Sequence, residues 1–294
     1  MSSDDILQPL SAENWKLLAE LLKKNWPSNI QYYYFIETAI KWKLEEANLP
    51  ITIYCPNGDY KSGVFIAIST CTYYCLIIFA HEDCEELLYT AVTKTKFINW
   101  DEEVSFAAVQ SRLIPTAHSI IEYLKANKGI EIKYNELGKC FFRPKEEAAI
   151  FQVQLPNNCY LKELDETHVP LIHSVWPLRS TYDEKLTYKY VSIMIKFNKG
   201  LGLFSKDTNE LLSWAAQSEF GAISFVQTIE RCRRRGYAKI IANSLAKILA
   251  DEGTDSFAFI TNENHISEKM FQSWNFRQVQ EYNWIGMHQY NIKN

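Results

Sequence analysis

Residues 222–253 read AISFVQTIERCRRRGYAKIIANSLAKILADEG, and this stretch decides the fold. Ala222 to Thr228 is a mostly apolar, β-branched and aromatic run that suits a buried strand. A turn follows that reads Arg233-Arg234-Arg235-Gly236-Tyr237-Ala238. From Tyr237 to Glu252 the apolar residues Ala238, Ile241, Leu245, Ile248 and Leu249 recur at helical spacing, and Gly253 is placed to end the helix. Ser256 to Ile260 is a second short strand. A strand, a crossover helix and a strand imply a parallel pair.

The turn itself reads as an anion cradle. Glycine lets the backbone approach a phosphate closely, and the first amides of a helix have no partner within it. The helix dipole favours a bound negative charge there. Arg233, Arg234 and Arg235 add guanidinium forks suited to phosphate. A solvated basic turn is the plainer reading, and the flanking strand and helix weigh against it. A nucleic-acid patch is disfavoured because basic residues do not cluster elsewhere.

Outward from this core, residues 265–274 read as a helix and Arg277 to Met287 as a last strand. Upstream, Leu164-Asp165-Glu166 opens a helix that ends at Trp176-Pro177, and another helix covers about 182–198. Strands at Leu201–Phe204 and Glu210–Ala215 flank a turn at Asp207-Thr208-Asn209. The first sixty residues repeat this order. Ser11 is placed to cap a helix bearing Trp15, Leu18, Leu21 and Leu22, which should stop before Pro27. A helix at about 32–47 follows, then strands Ile51–Cys55 and Tyr60–Ile68 around Asn57-Gly58. The Trp26-Pro27 and Trp176-Pro177 pairs lie 150 positions apart. We therefore expect an internal duplication, with units at 1–150 and 151–294 joined near Pro144 to Pro156. The expected class is mixed α/β, as tandem units that are each a twisted mixed sheet flanked by helices.

Composition bounds the function. The chain has 294 residues, 47% hydrophobic and 22% charged, so it can bury a large core. A net charge of −4 argues against a general nucleic-acid partner. Seven cysteines form no small-domain framework and read as free, mostly buried thiols in a reducing compartment. Ser62 to Ala80 is uncharged but broken by Ser69, Thr70 and Thr72, and reads as two buried strands around a polar turn rather than a membrane span. The N-terminal residues show no apolar signal region and the first arginine is Arg112, so the expected location is cytoplasmic, with no transit peptide and no membrane partner.

Other groupings of polar and aromatic residues read most simply as core or structural. Cys71, Cys75, His81 and Cys84 have irregular spacing for zinc and read as packed residues, so no metal is expected. His118, His168 and His173 lack partners at metal spacing and read as structural. Tyr32-Tyr33-Tyr34-Phe35 reads first as helix packing between domains and second as the lining of an acceptor pocket.

Trp214 to Ala238 resembles the acyl-CoA-binding core of the GNAT superfamily of N-acetyltransferases, and most of all its glycine N-acyltransferase-like branch. The resemblance rests on Trp214, the pair Phe220-Gly221, the strand ending in Thr228, and Arg233-x-x-Gly236-x-Ala238. It continues through Asn264-x-x-Ser267-x-x-Met270-Phe271-x-x-Trp274-Asn275-Phe276 and covers about 160–286. The N-terminal half fits as a degenerate partner domain, because no such turn occurs near position 86.

The resemblance implies acetyl-CoA or another acyl-CoA as co-substrate, and by analogy with the family it adds a mitochondrial location as the alternative to the cytoplasmic one. Val226, Gln227 and Thr228 would hold the pantetheine arm like an added strand, at an end of the parallel pair left open by splaying, and the amides of Arg233, Arg234, Arg235, Gly236, Tyr237 and Ala238 the pyrophosphate. Asn264, Ser267 and Phe271 would lie near the sulfur. It also implies transfer of an acyl group to the amine of a small molecule or amino acid, with an amide of the central strand stabilising the oxyanion. Two departures stand out. Phe271 occupies the position of a thiolate-protonating Tyr, and Gly221-Ala222 replaces a Gly-Glu pair. The nearest carboxylate is Glu219, which could act as base directly or through water, or be a solvated edge residue. Ser267 is a second catalytic candidate. The alternative function is a non-catalytic acyl-CoA-binding protein.

Overall fold

The structure is a computed structural model that describes residues 5–180 and 183–289. The chain forms two compact units. One is the chain up to Gly138 together with the chain from Gln280 onward, and the other is Lys139–Val279. The duplication reading puts its join between 150 and 151. The compact units part at Gly138 and again at Val279, each time inside a strand.

The first repeat runs β1 (Leu7–Pro9), α1 (Ala12–Leu22), α2 (Ile30–Glu45), β2 (Ile51–Pro56), β3 (Val64–Ser69), β4 (Tyr74–Ala80), α3 (Glu85–Lys94), β5 (Val104–Gln110), α4 (Ile114–Lys128) and β6 (Ile130–Arg143). A short α5 (Lys145–Ala149) links it to the second. That repeat runs β7 (Cys159–Glu163), α6 (Val169–Val175), α7 (Glu184–Phe197), β8 (Gly200–Ser205), β9 (Leu211–Gln217), β10 (Ile223–Thr228), α8 (Tyr237–Asp251), β11 (Ser256–Thr261), α9 (His265–Ser273) and β12 (Arg277–Gln289). The order of helices and strands is the same in both, as the duplication requires. The expected start of α7 at 182 lies outside the described residues.

In the first unit the strands run β1-β2-β3-β4-β5-β12. Pairs β1–β2, β2–β3, β3–β4 and β5–β12 are antiparallel, and β4–β5 is parallel. Thus the strand that ends the second repeat completes this sheet, with Tyr282 opposite Gln110 and Met287 opposite Val104. In the second unit the order is β10-β9-β8-β7, and the Lys139–Arg143 end of β6 belongs there as a neighbour of β11. Each repeat has exchanged its last strand, and length alone could not reveal it.

Both sheets are buried on their faces. Val64, Ile66, Leu76, Ile78, Val104 and Phe106 pack with Leu88, Val92, Ile120 and Leu124 in the first unit. In the second, Leu203, Leu212, Ala215 and Ile223 meet Ile241, Leu245 and Leu249 of α8. Burying each of those three α8 side chains contributes roughly 1.5–3 kcal/mol. The other sheet face, with Trp214 and Phe204, packs on Ile172, Val191 and Ile195 of α6 and α7. Such two-sided cover explains why β8 and β9 read as continuous apolar runs.

Several local expectations need adjustment. Ser11 is the N-cap residue of α1, but its side chain makes no capping hydrogen bond. The Asn57-Gly58 turn forms with both residues left-handed, φ 54° and 70°, yet β3 starts only at Val64 rather than Tyr60. The Asn57 amide bonds the Ile6 carbonyl, the Gly58 amide the Cys55 carbonyl and the Asp59 amide the Pro56 carbonyl, and the connection is a seven-residue loop, residues 57–63, not a two-residue hairpin. Tyr32 packs edge-on against Phe65 and Phe79 of its own unit, and burial pushes its phenol above the ordinary range. All seven cysteines are free thiols, and Cys55, Cys71, Cys140, Cys159 and Cys232 are buried. Among the described residues no group of three or more His, Cys, Asp or Glu converges as metal ligands, and no helix is long and apolar enough to cross a membrane. His173 bonds Thr187 Oγ1 at 2.9 Å, and His168 closes a capping box with Asp165, so both hold helix starts.

Candidate functional site

The expected parallel pair of β10 and β11 does not form a ladder. The strands come within 8 Å of each other, but β10 is hydrogen-bonded only to β9, and β11 is hydrogen-bonded to β6. An edge of β10 is therefore left without a strand partner.

The middle of β10 is irregular. Ser224 pairs with Ala216 and Gln227 with Trp214, so Phe225 and Val226 together face one residue of β9. This is a β-bulge, and Phe225 sits left-handed at φ 53°. A bulky side chain in that region is a conformational outlier. Below the bulge, Ser213 Oγ donates to the Gln227 carbonyl at 2.8 Å and lies 2.9 Å from Thr228 Oγ1, fixing the strand end.

β10 runs into a short 3-10 turn, Glu230–Cys232, and then the arginine turn. Arg233, Arg234, Arg235 and Gly236 are all exposed, and Arg233 Nε bonds back to the Thr228 carbonyl at 3.3 Å. Arg234 and Gly236 are both left-handed, at φ 64° and 79°. Alternation of this kind turns successive amides toward one side, as in anion-binding nests. Gly236 is the N-cap of α8 and has no side chain to cap it. The helix ladder starts with the Ile240 amide on the Gly236 carbonyl, so the Tyr237, Ala238 and Lys239 amides have no partner within the helix. Of the residues read from sequence as pyrophosphate ligands, Tyr237 buries its ring in the core under the turn, and Ala238 is half-buried. α8 is also fastened by buried Arg143, which donates to Asn243 Oδ1 at 2.5 Å.

The start of α9 is built locally. Asn264 caps it, with Oδ1 accepting from the Ser267 amide at 3.1 Å. Phe271 is 4% exposed and packs on Trp274 and Phe276, so it is a core residue. Asn275 is left-handed at φ 64°, a conformation that asparagine tolerates better than most residues. Asn262, just beyond β11, has a buried Oδ1 with no hydrogen-bond partner. Such an orphan acceptor beside an open strand pair is a place for a ligand N–H. The sequence reading missed it because nothing in the spacing marks it.

Glu219 occupies the turn between β9 and β10. The Gly221 amide bonds the Ser218 carbonyl at 2.8 Å, and the Ser218 amide bonds the Ala222 carbonyl at 2.9 Å. Gly221 takes φ 74° to close this turn. Tyr190 of α7 donates to Glu219 Oε2 at 2.7 Å. Burial raises the Glu219 pKa above the ordinary carboxylate value, and the Tyr190 hydrogen bond only partly offsets it. This carboxylate is thus held by a partner from α7 and poised as a stronger base than a solvated one. Tyr190 was also invisible to sequence reasoning, since it stands 29 positions away.

The comparisons with known proteins agree with this geometry. Residues 200–285 match the family model described as FR47-like protein, and residues 6–121 match a domain of unknown function, DUF5645. No curated protein matches at a significant level. Among solved structures, a Drosophila protein aligns with TM-score 0.82 at 21% identity over 96% of this chain and 98% of that one. A tandem GNAT protein from the clavulanic acid biosynthesis pathway aligns with TM-score 0.55 at 10% identity, over 98% and 99% of the two chains. A GNAT-family acetyltransferase from Colwellia psychrerythraea aligns with TM-score 0.51 at 10% identity, over 95% and 98%. The chain has a GNAT-type acetyltransferase fold. Its two α/β repeats are arranged as tandem units of that fold.

Proposed function

We propose that the second unit binds an acyl-CoA and transfers its acyl group to the amine of a small molecule, as in the glycine N-acyltransferase-like branch. The observation that carries this reading is the Gly-capped start of α8. Its unpartnered amides and three exposed arginines stand at the end of a strand whose edge is open. A pyrophosphate would sit on the Arg233–Ala238 backbone, held by amides and helix dipole. The pantetheine arm would extend β10 along Val226, Gln227 and Thr228, as an added strand does. Asn262 Oδ1 would accept an amide N–H of that arm, and Asn264, Ser267 and Phe271 border the α9 side. Fold likeness motivates the coenzyme, and the residues of this chain fit it.

In the reaction, Glu219 takes one proton from the acceptor ammonium, leaving a neutral amine. The nitrogen lone pair attacks the thioester carbonyl, and an amide freed by the bulge stabilises the oxyanion. Collapse breaks the C–S bond, and the second nitrogen proton ends on the departing sulfur through solvent. The products are an amide, free CoA thiol and protonated Glu219, which returns its proton to water. Thioesters are activated, so positioning supplies much of the rate.

A second reading, a non-catalytic acyl-CoA-binding protein, is favoured by Phe271 and Ala222, which supply neither the acid nor the base of relatives. Ser267, whose amide is held in the α9 cap, remains as a polar group on that side. Calorimetry with CoA thioesters and thiol release over an amine panel separate the two readings. Binding with amine-dependent thiol release supports transfer, binding without release supports the second reading, and no binding removes both.

A further inference from the structure

The bulge does more than free an amide. It turns the Phe225 ring toward α6 and α7, where it meets Trp176 at 5.4 Å and Tyr190 at 5.8 Å between ring centroids. Trp176 and Tyr190 stack on each other at 5.6 Å with 15° between planes. All three rings are half-buried, so each keeps some surface exposed. Trp176 and Phe225 rest on the core that includes Ile172, Val191 and Ile195. Tyr190 is the hinge of the arrangement, since its ring belongs to this aromatic surface and its hydroxyl holds Glu219. An aromatic wall and a carboxylate are therefore joined by one side chain, one residue away from Val226 on the open strand.

The matching strand of the first repeat has none of this. β4 pairs with β3 without a break from Val64–Ala80 to Ser69–Cys75. A left-handed phenylalanine is a strained outlier that the surrounding structure must hold in place. A strand that keeps such an outlier, where its counterpart is regular, points to a use for the ring.

Resting on the reading above, we propose that Trp176, Tyr190 and Phe225 form the acceptor subsite, and that the acceptor is a primary amine on an aromatic or other apolar body without a carboxylate. An ammonium on such a body gains from ring faces and from a nearby carboxylate. An amino acid would bring a second carboxylate toward Glu219, and like charges oppose each other. The nearby cation is Arg179, an exposed side chain whose Nη1 is turned back to the Trp176 carbonyl at 3.1 Å, and the phenylalanine probe below tests whether it receives a carboxylate.

The test uses the full chain with acetyl-CoA and three probes: 2-phenylethylamine, phenylalanine and glycine. The first two share a ring and differ by the carboxylate, and glycine lacks the ring. The expected order in kcat/KM is 2-phenylethylamine at least tenfold above phenylalanine and at least a hundredfold above glycine. Trp176→Ala should raise the KM for 2-phenylethylamine tenfold or more while the KM for acetyl-CoA stays within twofold. Glycine or phenylalanine used as well as 2-phenylethylamine overturns the proposal. So does an unmoved amine KM in a Trp176→Ala protein that melts cooperatively. Should that variant fail to fold, Phe225→Leu replaces it, with the same expected and overturning results. Direct calorimetry of 2-phenylethylamine, with and without CoA, keeps the outcomes apart. Amine binding without CoA binding sinks the acyl-CoA reading alone, CoA binding without amine binding sinks the subsite, and binding of neither sinks both.

Discussion

The two repeats share one order of elements and differ where the strand carrying the turn meets its crossover partner. In the first, β4 and β5 pair as a parallel ladder, with Tyr74, Cys75 and Leu76 opposite Val104, Ser105 and Phe106. Beyond it, the Arg112 guanidinium, just past β5, bonds the carbonyl of Ala80 at the end of β4. Arg112 also pairs with Glu85 at 3.5 Å, and Glu85 and Glu86 fill the first turn of α3. That helix start is compensated by its own carboxylates. In the second repeat the ladder is missing, the turn carries three arginines, and the helix cap is glycine. One frame thus gives a sealed strand end in one unit and an open, arginine-rich turn in the other, and the difference includes a handful of residues at the β–α turn.

The largest expected effect comes from closing the open site. Gly236→Glu should weaken CoA binding by a hundredfold or more in calorimetry, because a carboxylate then faces the phosphates. A Cβ at Gly236 would meet nothing within 4 Å, so the cost to folding is the left-handed backbone alone, on the order of 1–2 kcal/mol. Normal CoA affinity in that variant would place the site elsewhere.

Next in size is Glu219→Gln, which should lower kcat by about a hundredfold with acyl-CoA affinity unchanged. The base form of Glu219 appears as pH climbs through its raised pKa, so the acidic limb of the wild-type pH–rate profile should lie above the ordinary carboxylate range. The Gln variant should lose that limb. Tyr190→Phe removes the hydrogen bond that lowers this pKa, so its limb should move further up in pH. A limb that stays in place would deny Tyr190 its positioning role.

A change in the sealed unit should leave the coenzyme untouched. Arg112→Ala leaves the Ala80 carbonyl without this donor and should cost roughly 1–3 kcal/mol in denaturant unfolding, with CoA affinity unchanged. The smallest expected effect is Arg235→Ala, an exposed cation, which should weaken CoA binding only a few-fold and flatten its salt dependence. A large loss there would mean that Arg235 grips the phosphates directly.

Much of this comparison was legible in the sequence. The spacing of apolar residues located α8 to within a residue, since an amphipathic face buried on a sheet must repeat at the helical period. Gly236 and Gly253 marked its ends because both positions need left-handed backbone. The repeat of Trp-Pro pairs and turns gave the duplication. Asn264 was legible as part of a motif, although the structure shows its side chain capping α9. Phe271 was read as a coenzyme neighbour from its motif position, and the structure adds that its ring packs on Trp274 and Phe276, because a motif position does not say which way a helix turns its side chains.

What the sequence by itself determined is everything that depends on neighbours along the chain: the helices, the apolar strands, the glycine-capped turn and its charge. Only the tertiary structure decided how the strand ends were closed. Whether a strand pairs with its crossover partner is a matter of packing: β5 has β12 on its far side and β11 has β6 on its far side, yet β4 pairs with β5 and β10 does not pair with β11. The joining of Tyr190 to Glu219 and of Trp176 to Phe225 depends in the same way on helices folding back over a sheet. Such contacts carry no period and no local signal. They exist because burial of two sheet faces brings distant segments together, and that same packing leaves one strand edge open beside a helix whose first amides lack partners within it.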